Sequence, residues 1–543
     1  MSNAISRISK PTNERVPDYL PGSLEKMALK AKLAELQQST IEIPLIIGGQ
    51  AVCTGRTGTC IIPHNQSHVL ATYHMAGEKE TALAIQTAVN AKKQWENMPW
   101  EHRLAVFLKA AELISGPWRS TLNAATMLGQ SKSVYEADAD AACELMDFLR
   151  YNSYFARQIL ESQPESVPGV FNRMEYRPLE GFVFAVTPFN FTAIGGNLPT
   201  SPAMLGNTVV WKPASTAVYS NYQVMRLLQA AGLPDGVINF LPGPGSVVGP
   251  QVMNHPMLAG IHFTGSTAVF NQMWHTVGEH VGRYRGYPRI VGETGGKDFL
   301  FAHPSAEVDE LVAAIIGGGF SYQGQKCSAT SRAYIPASIW PAVKTRLIEQ
   351  VATIQVGDVA DFTNYMGAVI DQHAFDSIKG YIDFARRADD AEIIAGGACD
   401  DKVGFFIQPT VIVTTNPLFK TMQEEIFGPV VTVYVYADKD YKDALALCES
   451  TSDYALTGAI FARDRAAIVD IEKQLCYSAG NLYINDKTTG AFVGLQPFGG
   501  ARASGTNEKV GSKQNMTRWL SPRTIKENFR PSTDYRLDLM QES

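Results

Sequence analysis

GFVFAVTPFNFTAIGGNLPTSPAMLGNTVVWKPASTAVYSNYQVMRLLQAAGLPDGVINFLPGPGSVVGPQVMNHPMLAGIHFTGS, residues 181–266, is the stretch that decides the fold class. Gly181–Pro188, Val237–Leu241 and Gly260–Thr264 read as strands, with helical patterns over Ser220–Ala231 and Val247–Asn254 between them. Strands that alternate with helices of this length require βαβ crossovers and a parallel sheet, an α/β architecture. A second alternating series begins near Phe299 and runs to about Phe461, so two α/β units in series fit the chain better than one. Toward the N-terminus, long helical patterns reach Leu160, and in one of them Leu104, Phe107, Leu108 and Ala111 share a face. Short apolar runs between Ile41 and about Tyr73, broken by Gly-Gly and Thr-Gly, predict hairpins. A polar leader and a helix over Leu24–Gln37 precede them, and the tail Thr517–Ser543 reads as polar and extended.

Bulk properties exclude several function classes. The chain has 543 residues and a formal net charge of −6, with no run of like charges and no basic footprint for nucleic acid. No apolar stretch reaches the roughly 18 residues of a membrane span. The segment Met1–Pro17 lacks the apolar core of a secretory signal and is too polar for a transit peptide, which predicts a bacterial cytoplasm or, in a eukaryote, the mitochondrial matrix. Seven widely spaced cysteines without a CxxC argue against a disulfide framework and against a zinc ribbon, and no metal is expected. Most of these thiols are expected to be small core residues.

Several fragments carry chemistry, each with a plain structural alternative. Gly243-Pro-Gly245-Ser-Val-Val-Gly249 follows a strand and opens a helix, but its third glycine comes one residue late for a dinucleotide fingerprint; a turn and cap explains it equally well. Phe263-Thr-Gly-Ser266 is a second strand running into a Gly/Ser turn. Glu293-Thr-Gly-Gly-Lys places a carboxylate at a strand end, suited to a general base or to a surface cap. Thr187-Pro-Phe-Asn190 puts a carboxamide just past a strand, able to donate to an oxyanion or to stabilise its own turn. Gly324-Gln-Lys-Cys327-Ser offers a thiol with a glycine that would admit substrate and with Lys326 to add positive potential, the setting a thiolate nucleophile needs; a buried structural cysteine is the alternative.

Taken together and in order, TPFNF (187–191), WKPAS (211–215), FTGS (263–266), ETGGK (293–297), GQKCS (324–328), EEIFGPV (424–430) and PFGG (497–500) resemble the aldehyde dehydrogenase superfamily, with Glu293 and Cys327 34 positions apart. NLYINDKTTGAFVGLQPFGGARASGTN (481–507) and SPRTIKE (521–527) are similar to the branch that oxidises glutamate γ-semialdehyde to glutamate in proline breakdown, the Δ1-pyrroline-5-carboxylate dehydrogenases. The resemblance implies that Cys327 attacks the aldehyde carbon, that Asn190 and the Cys327 backbone N–H hold the oxyanion, and that Glu293 activates the water that hydrolyses the thioester. It assigns NAD contacts to Lys212, Ser215, Gly245, Ser266, Glu425 and Phe427, and substrate contacts to Phe191, Ser328, Gly490, Ala491 and Phe498. Many NAD-selective members carry Glu where this chain has Ser215, so NADP is admitted as an alternative cofactor.

The expected architecture is an aldehyde dehydrogenase fold in three parts. A Rossmann-like NAD-binding domain takes residues 1–160 and 181–293, and an α/β catalytic domain takes residues 294–505. A small oligomerisation element combines a β-flap at 161–180 with the tail 506–543. Exposed flap edges need covering, which predicts a homodimer or a higher homo-oligomer. The chain has no room for a further barrel of ~250 residues, so a proline dehydrogenase would be a separate partner.

Overall fold

The computed structural model describes residues 6–540. The first α/β unit is a seven-stranded sheet whose parallel part comprises β1 (Phe182–Val186), β2 (Thr208–Lys212), β3 (Ile238–Phe240), β4 (Leu258–Thr264) and β5 (Arg289–Glu293). Their spatial order is 5-4-1-2-3, so the winding direction reverses between β1 and β4. In open parallel sheets the crevice at the carboxyl ends beside such a reversal is where ligands bind. The hairpin Leu45–Ile47 and Gln50–Val52 extends the far edge, antiparallel to β3.

The stretch 181–266 folds as an α/β unit with two more elements than its pattern reveals. Helix Thr192–Met204 and strand β2 fill the interval between β1 and helix Val218–Ala231. Pro199 and Pro202 lie inside that helix and disguise it. A proline strips its i−4 carbonyl of a partner. For Pro202 that carbonyl is Leu198 O, and the buried His262 of β4 donates to it through Nδ1 at 3.0 Å. Sheet and helix thus repair the defect between them.

The second unit is a seven-stranded sheet built on β6 (Asp298–Ala302), β7 (Thr330–Pro336), β8 (Thr410–Thr414), β9 (Val430–Tyr436), β10 (Thr457–Phe461) and β11 (Asn481–Ile484). These run parallel in the order 8-9-7-6-10-11, with Ala391–Ala395 antiparallel at the β8 edge. Phe299 and Phe301 of β6 are fully buried on one face with Tyr334 of β7, and Leu300 on the other with Ala333, which is why β6 reads as a continuous apolar run. Helix Leu24–Gln37 stands where its periodicity predicts it, and Leu104, Phe107 and Ala111 of helix Trp100–Leu113 are buried, Leu108 less so.

Val170–Pro178 pairs antiparallel with Leu520–Asn528 over nine positions, a two-stranded ribbon with mostly exposed faces. Among the described residues no helix is long and apolar enough to cross a membrane.

Candidate active site

The loops leaving the carboxyl ends of β1, β4 and β5 meet the segment that enters β7. β5 ends on Glu293, and Cys327 lies three residues before Thr330, the start of β7. The Cys327 thiol donates to Glu293 Oε1 at 2.8 Å, and both residues are buried. Burial pushes Glu293 up to about 7 against the lowering effect of the thiol hydrogen bond. The thiol itself is pushed well up by burial and then by the neighbouring Glu293. In the resting site the proton therefore belongs on sulfur, with a poised acceptor in contact with it.

This differs from the electropositive setting expected for the thiol. Lys326 turns away from Cys327 and pairs with Glu136, with Asp140 Oδ2 at 3.6 Å. Burial works to lower it, but Asp140 and Glu136 together hold it above the ordinary lysine value. The group in contact with the thiol is a carboxylate rather than a cation. Gly324 also has a different use from the one expected: a Cβ there would stand 2.2 Å from Gly428 O, so the missing side chain admits backbone, not substrate. Tyr322, Gln323 and Gly324 are consecutive left-handed residues at φ 49°, 55° and 64°, and this tight turn presents Cys327. Two non-glycine residues held there store strain of the order of 1–3 kcal/mol each.

Asn190 is buried in the loop after β1, and its Nδ2 donates to Gln325 O at 3.1 Å, two residues before the nucleophile. One Nδ2 hydrogen is left over. The Cys327 backbone N–H makes no hydrogen bond among the described residues.

On the nucleotide side, Lys212 closes β2 and Gly245 opens helix Gly245–Met253; a Cβ on Gly245 would lie 3.9 Å from Lys212 Cε. Among the described residues the Lys212 ammonium donates only to Pro213 O, at 3.2 Å, and has no acidic partner; burial lowers it to about 8. A desolvated ammonium without a counter-ion fits the hydroxyl and phosphate oxygens of a dinucleotide. Ser266 caps helix Thr267–Glu279, whose N-terminus favours a phosphate. Ser215 begins a short turn just past Lys212 and is exposed. Glu425 Oε1 accepts from Gly296 N at 3.0 Å, which brings it beside the segment that follows Glu293. Phe427 packs edge-on against Phe189 at 5.7 Å, and its carbonyl accepts from Gln325 Nε2 at 3.4 Å. These residues fit NAD.

The residues expected to hold substrate gather around the same centre. Lys132 Nζ stands 4.2 Å over the ring of Phe191. Thr488 Oγ1 donates to Ser328 O at 2.7 Å and thereby ties the loop of Gly490 and Ala491 to the nucleophile segment. Gly490 has φ +102° and is exposed, with Ala491 half-buried beside it. Phe498 lines one small cavity with Glu293.

One group in the site lies outside every motif quoted. Glu136, Asp140 and Glu144 recur every fourth residue through helix Val134–Ala137, the wide turn Asp138–Cys143 and helix Glu144–Leu160. The first two are matched by Lys326 and Lys132. Among the described residues Glu144 makes no salt bridge, and its Oε2 is buried without a hydrogen-bond partner. Burial pushes it well above the ordinary carboxylate range, and nearby Asp140 and Glu293 push the same way.

Glu42, Cys53 and His74 form a grouping of metal-ligating types within 4.8 Å of one another. Thr54 N and Gly55 N both donate to His74 Nδ1, at 3.1 and 3.3 Å, which puts the ring proton on Nε2, 2.7 Å from Glu42 Oε1. That nitrogen is a donor to the carboxylate, with no lone pair to offer a cation.

Residues 53–525 match the aldehyde dehydrogenase family. The chain belongs to that family. It is 50% identical over 535 residues to the mitochondrial Delta-1-pyrroline-5-carboxylate dehydrogenase of Dictyostelium discoideum, covering 98% of this chain and 96% of that one. Its fold matches the crystal structure of the Delta-pyrroline-5-carboxylate dehydrogenase from Mycobacterium tuberculosis bound with NAD, at a TM-score of 0.96 and 49% identity over the whole of both chains. Proline utilization A from Bdellovibrio bacteriovorus is also similar, with a TM-score of 0.90 and 32% identity over 96% of this chain but 53% of that one.

Proposed function

We propose that this aldehyde dehydrogenase oxidises L-glutamate γ-semialdehyde, the open form of Δ1-pyrroline-5-carboxylate, to L-glutamate in proline breakdown, with NAD as oxidant. The observation that carries the chemistry is the Cys327 thiol donating to a buried Glu293 at 2.8 Å. The substrate follows from the identity to Δ1-pyrroline-5-carboxylate dehydrogenases over nearly the whole chain.

Glu293 takes the thiol proton as Cys327 closes on the aldehyde carbon, so thiolate forms only as it is consumed. The free hydrogen of Asn190 Nδ2 and the Cys327 N–H converge on the resulting oxyanion. NAD, when bound, supplies a hydride acceptor. Lys212 would hold its adenosine ribose, the N-termini at Gly245 and Ser266 its pyrophosphate, and Glu425 its nicotinamide ribose, with Phe427 against the ring. Once Glu293 has passed its proton to solvent it orients the water that cleaves the thioester on Cys327.

For the substrate, Phe191 and Phe498 flank the aliphatic middle. The backbone at Gly490 and Ala491, with Ser328, binds the α-carboxylate. The α-ammonium finds its counter-charge in Glu144, the acid of the ladder without a lysine. The three-part division, with 1–160 and 181–293 for NAD, 294–505 for catalysis and 161–180 with 506–543 for assembly, accounts for both sheets and the ribbon. The ribbon and the exposed Phe529, Tyr535 and Leu539 beyond it favour a homodimer or larger homo-oligomer. A separate proline dehydrogenase would supply the substrate. A bacterial cytoplasm, or the matrix in a eukaryote, is the proposed compartment.

The deciding experiment is kcat/KM for glutamate semialdehyde against acetaldehyde and succinate semialdehyde, each with NAD and NADP. Equal values across the aldehydes would make this a broad-specificity member of the family and refute the substrate assignment.

A further inference from the structure

The acidic ladder has three carboxylates and two lysines within reach. Lys132 is committed to Asp140, and Lys326 bridges Glu136 and Asp140. Lys132 is spent in a second way as well, since its ammonium sits over the rings of Phe191 and Tyr322 at 4.2 and 4.0 Å. Around Glu144, the groups that bear on its charge are Asp140 and Asp147 along its own helical run, Lys132 from the segment before it, and Glu293 at the end of β5. Three of these four are acids. Glu144 is only part-buried as a residue, but its Oε2 is sealed from solvent and unpartnered in this acidic company, which makes the ionised form costly. The sealed oxygen and the acids around it push Glu144 toward the neutral form.

A ligand that brings an ammonium changes that balance, because it supplies the third cation. We propose that the site expels a proton whenever it binds an ammonium-bearing ligand: Glu144 is a carboxylic acid in the empty site and a carboxylate in the complex. This rests on the reading of Glu144 as the ammonium's partner and adds a consequence to it. The balance is simple. The Glu144 O–H bond breaks, its proton leaves to solvent, and the ligand keeps its own three N–H bonds while pairing with the carboxylate. Nothing is oxidised or reduced.

Two consequences distinguish this from an ordinary preformed ion pair. Affinity for an amino ligand rises with pH, tenfold per unit below the pH at which Glu144 ionises in the empty site, because one proton is exchanged for one ligand. A ligand of the same shape without the ammonium gains nothing from this group. The ladder thereby discriminates twice against plain semialdehydes: they forgo the ion pair, and they meet a neutral acid that keeps its proton.

The test is isothermal titration of the wild-type protein with L-glutamate and with glutarate, each in two buffers of different ionisation enthalpy at pH 7. Both ligands carry the same two carboxylates, so any proton movement at Glu293 or Cys327 is common to them. The expected result is a greater proton release for glutamate than for glutarate, by up to one proton. In Glu144→Gln that difference should vanish. Glutamate that binds more tightly than glutarate with no extra proton release overturns the proton linkage and leaves the ammonium pocket standing. Equal affinity and equal proton release for both ligands overturns the pocket itself. Should Glu144→Gln fail to fold, the wild-type pair of ligands still decides the matter. A second reading on wild-type protein is the pH dependence of kcat/KM for glutamate semialdehyde relative to succinate semialdehyde. That ratio must climb with pH toward its plateau, and a flat ratio refutes the linkage.

Discussion

Glu293→Gln separates the two duties assigned to one carboxylate. In the wild-type protein Glu293 is pushed up to about 7 by burial, so roughly a tenth of it is ionised at pH 6 and roughly nine tenths at pH 8. Turnover limited by this base should rise about tenfold between those values and level off above pH 8. Gln keeps the shape and can still lie beside the thiol, but it takes no proton. Positioned general bases contribute about 10²–10⁴-fold, and steady-state turnover at pH 7 should fall within that range. The thiol is in direct contact with the lost acceptor, at 2.8 Å, so acylation should slow as well as hydrolysis. The two defects differ in their response to pH. Raising the pH lets hydroxide take over part of the thiol's deprotonation, against the burial that still holds Cys327 above its ordinary range, whereas hydrolysis still lacks an oriented base. Stopped-flow absorbance at 340 nm should show a slow, small NADH burst for the variant at pH 7. At pH 9.5 the burst should be faster and larger than at pH 7, with steady-state turnover still low. A full, fast burst at pH 7 would refute the role of Glu293 in taking the thiol proton. Wild-type-like turnover at any pH would refute its role in hydrolysis.

Cys327→Ala should abolish turnover while leaving NAD affinity, measured by fluorescence titration, within about twofold of wild type; residual dehydrogenase activity would remove Cys327 from its role. Gly490→Val should lower kcat/KM for glutamate semialdehyde by about 5–100-fold, because a β-branched residue at φ +102° costs about 1–3 kcal/mol and displaces the loop. Acetaldehyde, which has no α-carboxylate to place there, should change less than about threefold by the same measure, and equal losses would refute the anchor assignment. Gly324→Ala sets a methyl 2.2 Å from Gly428 O, so the nucleophile turn must move; thiol alkylation kinetics and turnover should both change, and an unaltered variant would show that the turn does not set Cys327.

How far the molecule was legible in its sequence follows from which interactions are local. Strand ends followed by short polar or glycine turns mark ligand-facing positions in α/β folds, and Asn190, Ser266 and Glu293 were found that way. Helix Thr192–Met204 was not, because two prolines contradict helical periodicity. The donor that repairs the break, His262, lies 64 positions away, and no local pattern reveals it. The direction of Lys326 failed for the same reason. Its position next to Cys327 in sequence implied a field at sulfur, while its partners, Glu136 and Asp140, are about 190 residues distant and draw it to the other side.

The acidic ladder is the instructive case, because it was visible and unread. EADADAACE, 136–144, has a carboxylate every fourth residue amid alanines, and an acidic stripe on a helix ordinarily faces water. Counting charge across the fold changes that reading: Glu136 is buried and Asp140 and Glu144 are part-buried, two lysines pair with the first two, and among the described residues Glu144 makes no salt bridge and its buried Oε2 has no partner. On the proposed function, that unmatched carboxylate favours an aldehyde that carries an ammonium. The motifs around Cys327 point to the reaction, and in the proposed reading Glu144, outside all of them, narrows which aldehyde undergoes it.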